Sequence, residues 1–251
     1  MVIQAPQCIF KLINRIEKFF ANLLGKGWGS ATMSQEVNLL QSFLKSKPQL
    51  AIDIGGNVGS YTAELRKRNP NLEIHVFEPS SVNIEKLKSR YQNDKLVTII
   101  PLAVSNVASS AILYASEPGA VGGSLTKRKL DHYKIPFDAV ENVQTIRFDD
   151  YWKDVLNSRP LDMVKIDIEG HELDAFEGFG AAIHATKVLQ FEFGGCNIDT
   201  RTFFQDFWYF FKDRHFEIYR ITPLGAEKIE NYNEYHEFYS TTNYIAVNRN
   251  K

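Results

Sequence analysis

A chain of 251 residues with 44% hydrophobic and 24% charged residues can bury the core of one α/β domain with an appendage, which excludes a disordered or membrane-embedded class. The formal net charge of -1 offers no basic surface to nucleic acid and no basis for broad electrostatic steering. Cys8 and Cys196 make neither a disulfide framework nor a metal motif, which fits a reducing, cytoplasmic setting.

In chain order, the first expected element is a helix. Ile9, Phe10, Leu12, Ile13, Ile16, Phe19, Phe20, Leu23 and Leu24 recur at helical spacing, with Lys11, Arg15, Glu17 and Lys18 between them. Charges this frequent exclude a membrane-spanning segment, and no small-residue cleavage site follows. Such an amphipathic helix could dock on the domain, pair with a second subunit in a homodimer, or lie peripherally on a membrane surface. Docking on protein is the preferred expectation. Gly25 to Gly29 reads as a linker and Ser34 to Leu44 as a second helix, so residues 1–45 are expected to form an N-terminal helical extension and 46–251 the main domain.

Alternation then begins. Strands are predicted at 50–54, 72–78 and 97–102, with helices near 60–68 and 81–91. Ala111 to Tyr114 and Val143 to Phe148 read as strands bracketing an irregular stretch, Ser116 to Pro136, rich in glycine and carrying Lys127-Arg128-Lys129. A loop of that kind serves as a lid or acceptor-binding element, or as plain solvated surface. Asp162 to Gly170 is a strand ending in acids, followed by a helix from His171 to Phe179 and a strand from Val188 to Phe193. An aromatic helix (Thr202 to Asp213) and strands at Phe216 to Ile221 and Tyr244 to Val247 complete the chain, the last two separated by an irregular insert, Pro223 to Thr242. Helical spacing assigns Phe203, Phe207 and Phe211 to one packed face, while the aromatics at 232–239 could stack on sugar rings. The expected fold class is α/β: a doubly wound, mostly parallel sheet closed by a C-terminal antiparallel strand pair, plus N-terminal helices.

Asp53-Ile54-Gly55-Gly56-Asn57-Val58-Gly59 supplies the chemistry of the first turn. Glycines allow close backbone approach to a ligand, and the helix beyond offers free N–H groups. Glu78, ending the second strand, is placed to accept hydrogen bonds from two ribose hydroxyls. The dinucleotide spacing Gly-x-Gly-x-x-Gly is not met, and Asp53 would repel a pyrophosphate. A carboxylate there suits a cation, and S-adenosylmethionine carries a sulfonium and an ammonium group but no phosphate. That disfavours an NAD-dependent enzyme.

A second constellation stands at the carboxyl ends of later strands, where open α/β sheets bind ligands. If the chain stays extended from Asp167 to Glu169, period two projects both carboxylates to one side. His171 follows within reach. Glu172 and Asp174 need only complement a helix dipole.

The runs AIDIGGNVGSYT, FEPS, PLAVSN and especially MVKIDIEGHELDAFEGF resemble the FkbM family of S-adenosylmethionine-dependent methyltransferases, over roughly residues 50 to 195. The resemblance implies a Rossmann-like methyltransferase sheet and O-methylation of a hydroxyl on a small-molecule or glycan acceptor, often a sugar in a glycan, glycolipid or natural product. It puts Asp53, Gly55, Asn57 and Gly59, with Tyr61 in the same run, around the methionine end of the cofactor. Glu78 would hold the ribose, and Ala103, Val104 and Ser105 would lie near the adenine. Gly56 departs from the family's usual alanine, at little expected cost. In the expected reaction Asp167 or Glu169, with His171 as outside candidate, takes the acceptor proton during attack. The rival scheme uses Asp167, Glu169 and Glu192 as oxygen ligands for a divalent metal such as magnesium, and is not favoured. A non-catalytic carbohydrate-binding or membrane-associated module is the alternative from another class.

Overall fold

The computed structural model describes residues 6–29 and 32–251; residues 1–5, 30 and 31 of the expected extension lie outside it. Two helices come first, α1 (Gln7–Leu23) and α2 (Met33–Ser42). The alternating part runs through β1 (Leu50–Ile54), α3 (Ser60–Arg68), β2 (Glu73–Phe77), α4 (Ser81–Tyr91) and β3 (Val97–Ile100). A small side sheet follows: β4 (Ala103–Val104), β5 (Ser110–Ala115) and β6 (Ala139–Ile146), in spatial order β4-β6-β5. The chain then returns through α5 (Phe148–Asp154), β7 (Leu161–Ile166), α6 (Glu172–Gly178), α7 (Ala182–Ala185) and β8 (Thr186–Phe193). It ends with α8 (Cys196–Thr200), α9 (Phe204–Lys212), β9 (Phe216–Thr222), β10 (Gly225–Ile229) and β11 (Thr242–Asn248).

The main sheet has eight strands in the order β10-β9-β11-β8-β7-β1-β2-β3. Strands β3, β2, β1, β7 and β8 are parallel; β11 runs antiparallel to both β8 and β9. The central strands β1 and β7 are buried at every position, as strands in a sheet covered on both faces should be, even at the charged Asp53, Asp162 and Lys165. One face packs Phe148, Phe176, Phe179, Phe191, Phe207 and Phe211 into a ring-on-ring core, and the other packs Val37, Leu40, Leu65, Ile74, Leu87 and Ile245.

Four expectations need correction. The closing element is three antiparallel strands, because the insert Pro223–Thr242 contains β10, hairpinned to β9, while β11 slots between β9 and β8. Phe203 is not on the packed face: it precedes α9, is 51% exposed, and Phe204 joins Phe207 and Phe211 inside. Spacings of three and four residues, not four and four, keep a helix stripe straight. The chain is not extended through 167–169, since β7 ends at Ile166 and Glu169 has a left-handed φ of 54°. Finally, α1 does not dock on the domain by its apolar face, which buries no residue among those described. By contrast α2 packs into the second face of the core through Val37 and Leu40.

Candidate active site

Beyond the carboxyl ends of β1, β2 and β7 lies an inner cavity of about 290 Å³. Its floor is the β1–α3 turn. Gly55 adopts φ 81°, and a Cβ there would stand 1.9 Å from the Asp167 carbonyl, so only glycine lets this turn pass under the end of β7. Gly56 is tight for another reason: its Cβ would meet Val76 Cγ1 at 2.2 Å.

Glu78 is the polar centre of the cavity. The Asn57 N–H donates to its Oε2 at 2.7 Å, and the Ser80 N–H donates to its Oε1 at 2.9 Å. Burial raises its carboxyl above the ordinary range, against the pull of those two N–H groups. Ser80 Oγ and Asn83 Oδ1 are buried beside it with no hydrogen-bond partner among the described residues, and both residues line the cavity. Leu102, Ala103 and Val104 form an apolar wall. A carboxylate, two unmet polar atoms and an apolar slot fit the ribose and base of an adenosyl group.

Tyr61, Gly55 and Asn57 also line this cavity, whereas Asp53, Gly59 and Ser105 do not. Asp53 is wholly buried behind the wall. Its Oδ2 accepts from the Thr62 hydroxyl at 2.6 Å, and its Oδ1 lies 3.8 Å from Lys165 Nζ. Gly59 instead opens α3 with φ 79°, and Ser105 faces Asn106. Lys165, from β7, reaches the cavity and stands 3.3 Å from Asp167 Oδ2 and 5.2 Å from the Tyr61 ring centroid. Burial alone would lower its ammonium, but Asp167 and Asp53 outweigh burial and raise it. The sequence offered this lysine only as a partner for Glu169, whereas the structure pairs it with Asp167, two residues on, and with Asp53.

A wider cleft of about 960 Å³ adjoins the inner cavity, lined by α1, the 121–133 loop, Glu192, Cys196 and the 238–241 segment. Val121, Asp167 and Glu169 border both spaces. Glu169 is held there by a built turn. The Glu172 carboxylate accepts from the N–H groups of Ile168 and Gly170, at 2.9 and 3.0 Å, and Ser124 Oγ donates to the Glu169 carbonyl at 2.8 Å. Glu172 is therefore a brace for the 168–170 turn rather than a solvated dipole partner. Burial, reinforced by Asp167, pushes the Glu169 carboxyl up to about 7, while Arg128 at 3.1 Å opposes the rise. Arg128 also reaches Asp199 at 3.2 Å, tying the glycine-rich loop to α8.

His171 stands at the cavity edge between two partners: Asp174 Oδ2 at 3.0 Å from Nδ1 and Thr126 Oγ1 at 2.9 Å from Nε2. Of the acids weighed as metal ligands, Glu169 and Glu192 have oxygens within 4.8 Å of each other, joined by the Cys196 thiol and not by Asp167. Burial raises both Glu192 and Cys196 away from their charged forms, and Arg128 already neutralises Glu169. That donor set suits a hard divalent cation poorly. Of the aromatics at 232–239 expected to stack on sugars, the Tyr232 hydroxyl donates to Glu237 and Tyr235 is exposed, while Phe238 and Tyr239 line the wider cleft.

Comparison with known proteins gives this geometry a lineage. The chain matches no curated protein. Among solved structures it is similar to methyltransferase FkbM from Methylobacillus flagellatus KT (18% identity, TM-score 0.47), covering 79% of this chain but only 43% of that one. It is also similar to the plantazolicin methyltransferase BpumL in complex with a triazolic desmethylPZN analogue and SAH (11% identity, TM-score 0.49, 94% and 91% covered). A third is a methyltransferase-like protein from Streptococcus mutans in complex with SAH (13% identity, TM-score 0.45, 84% and 96% covered). The methyltransferase FkbM domain matches residues 53–221, well over half of the sequence, and the chain belongs to the FkbM methyltransferase family.

Proposed function

We propose that this protein is an S-adenosylmethionine-dependent O-methyltransferase acting on a sugar hydroxyl. One observation carries the reading: the inner cavity and the wider cleft meet at Asp167 and Glu169. Donor and acceptor held on either side of such a junction are aligned for in-line displacement. The cofactor, when bound, supplies a methyl group on an electron-poor sulfur.

Glu78 accepts from the ribose hydroxyls, Ser80 and Asn83 complete the polar edge, and Leu102, Ala103 and Val104 flank the base. Asp167, paired with Lys165, presents a carboxylate where the cationic end of the cofactor would lie, with Asp53 behind it as a fixed negative charge. Glu169 takes the acceptor proton: a carboxyl near 7 is a far better base at neutral pH than an ordinary one. His171, oriented by Asp174, borders the same site and serves as the second candidate.

The test uses methyl-labelled S-adenosylmethionine and a mixed pool of soluble sugars and glycolipids. The reading expects base-stable label, the mark of a methyl ether, with wild type and at least about 100-fold less with Glu169→Gln. Base-labile label would indicate a carboxyl ester and overturn the hydroxyl assignment. Calorimetry with S-adenosylhomocysteine, against NAD as control, checks the cofactor separately, and Glu78→Ala is expected to abolish that binding.

A further inference from the structure

Helix α1 turns two different faces to two different places. Asn14, Glu17, Lys18, Ala21 and Asn22 line the acceptor cleft. On the opposite arc Leu12, Ile13, Phe19 and Phe20 are 52–60% exposed, flanked by Ile9, Ile16 and Leu24. Arg15 falls nearest one margin of that apolar arc, while Lys11 joins Lys18 on the polar face of the helix. Between Gln7 and Lys26 the chain carries four cations and one carboxylate, although the whole molecule has a net charge of -1. The rest of the protein is therefore acidic, and positive charge is concentrated on the segment that carries the exposed apolar stripe.

We propose that α1 lies in the interface of an anionic lipid bilayer, apolar arc inward, and holds the cleft over a hydroxyl carried on a lipid headgroup. An amphipathic helix of low overall hydrophobicity with basic residues on its polar face binds membranes this way. A second copy of this chain is the weaker occupant. One helix about 25 Å long and about 10 Å wide offers little of the ~800 Å² per partner that a stable dimer needs. Because the cleft lies on the reverse of the buried face, it stands about 10 Å above the membrane plane, within reach of a glycosylated headgroup. The membrane contact stands on α1 alone; the headgroup acceptor rests on the O-methyltransferase reading.

Sedimentation with vesicles tests this, using phosphatidylcholine alone and phosphatidylcholine with 30% phosphatidylglycerol. Wild type should pellet with the anionic vesicles, and Phe19→Gln/Phe20→Gln should partition at least about tenfold less. Lys11→Gln/Arg15→Gln should do so mainly on the anionic vesicles. Equal S-adenosylhomocysteine binding by all three proteins separates loss of docking from loss of fold or cofactor site. Absence of pelleting overturns the proposal, as does a dimer in light scattering that Phe19→Gln/Phe20→Gln dissolves without any vesicle binding. Indifference to the anionic lipid removes its electrostatic half.

Discussion

Glu169 sits in a strained position, and that strain is chemically useful. A non-glycine residue at φ 54° carries backbone strain that surroundings must over-determine, and Glu172, Ser124 and Arg128 do so from three directions. If Glu169 is the base, kcat should rise with pH through a midpoint near 7, since the carboxyl must lose its proton to act. Arg128→Gln removes the larger of the two positive charges, Arg128 and Lys165, that oppose the rise on that carboxylate, and should move the midpoint upward, measured as the pH profile of methyl transfer. An unchanged midpoint would assign the limb to a group other than Glu169. The sequence exposed Asp167, Glu169 and His171 because they cluster within five positions. It could not expose Arg128, which is 41 residues away and reaches Glu169 only because the loop folds back. Asp53 marks the other side of this limit. Its place at the end of a strand was legible, but its burial behind Thr62 and Lys165 depends on packing that periodicity does not encode.

At the level of elements, the β1–α3 turn is the part most tightly specified. Gly55→Ala forces a Cβ into the Asp167 carbonyl at an unfavourable φ, and should cost at least about 2 kcal/mol in denaturant unfolding. Gly56→Ala meets only the Val76 side chain, so its cost of about 1–3 kcal/mol should shrink when combined with Val76→Ala. A double-mutant cycle with no coupling would mean the two residues do not share that space. Helix α2 makes a comparable commitment. Glu36 accepts from Gln190 at 2.7 Å and Asn243 at 3.0 Å, and from the Thr32 hydroxyl, while Gln190 in turn accepts from Tyr61. Glu36→Ala would strand these buried amides and should destabilise by about 2–4 kcal/mol, read from the same unfolding curves. The alternating strands and helices were legible because apolar runs and glycine turns mark them. Strand β10 (GAEKI) was not, since a short charged edge strand owes its form to its partner β9.

Across the whole molecule, buried carboxyls set the response to pH. Glu78, Glu169, Glu172 and Glu192 are all raised by burial, Glu172 to about 8, so the folded chain holds protons that the unfolded chain releases. Stability should therefore fall as pH rises from about 5 to about 8. The acids lowered by partners, such as Asp162 and Glu217, act in a window below the ordinary carboxyl range and do not cancel this trend. Melting temperature measured at pH 6 and pH 8 should drop by several degrees in wild type, and less in Glu172→Gln, whose amide oxygen can still brace the 168–170 turn. The arrangement of the two cavities has a kinetic consequence. Residues 119–123 and Leu125 roof the inner cavity, whereas the cleft beyond Glu169 is broad and bounded by separate segments. A ligand in the inner space is enclosed first and released last, so turnover should follow a compulsory order. S-adenosylhomocysteine should then inhibit competitively against S-adenosylmethionine and noncompetitively against the acceptor, while methylated product should never compete with the methyl donor.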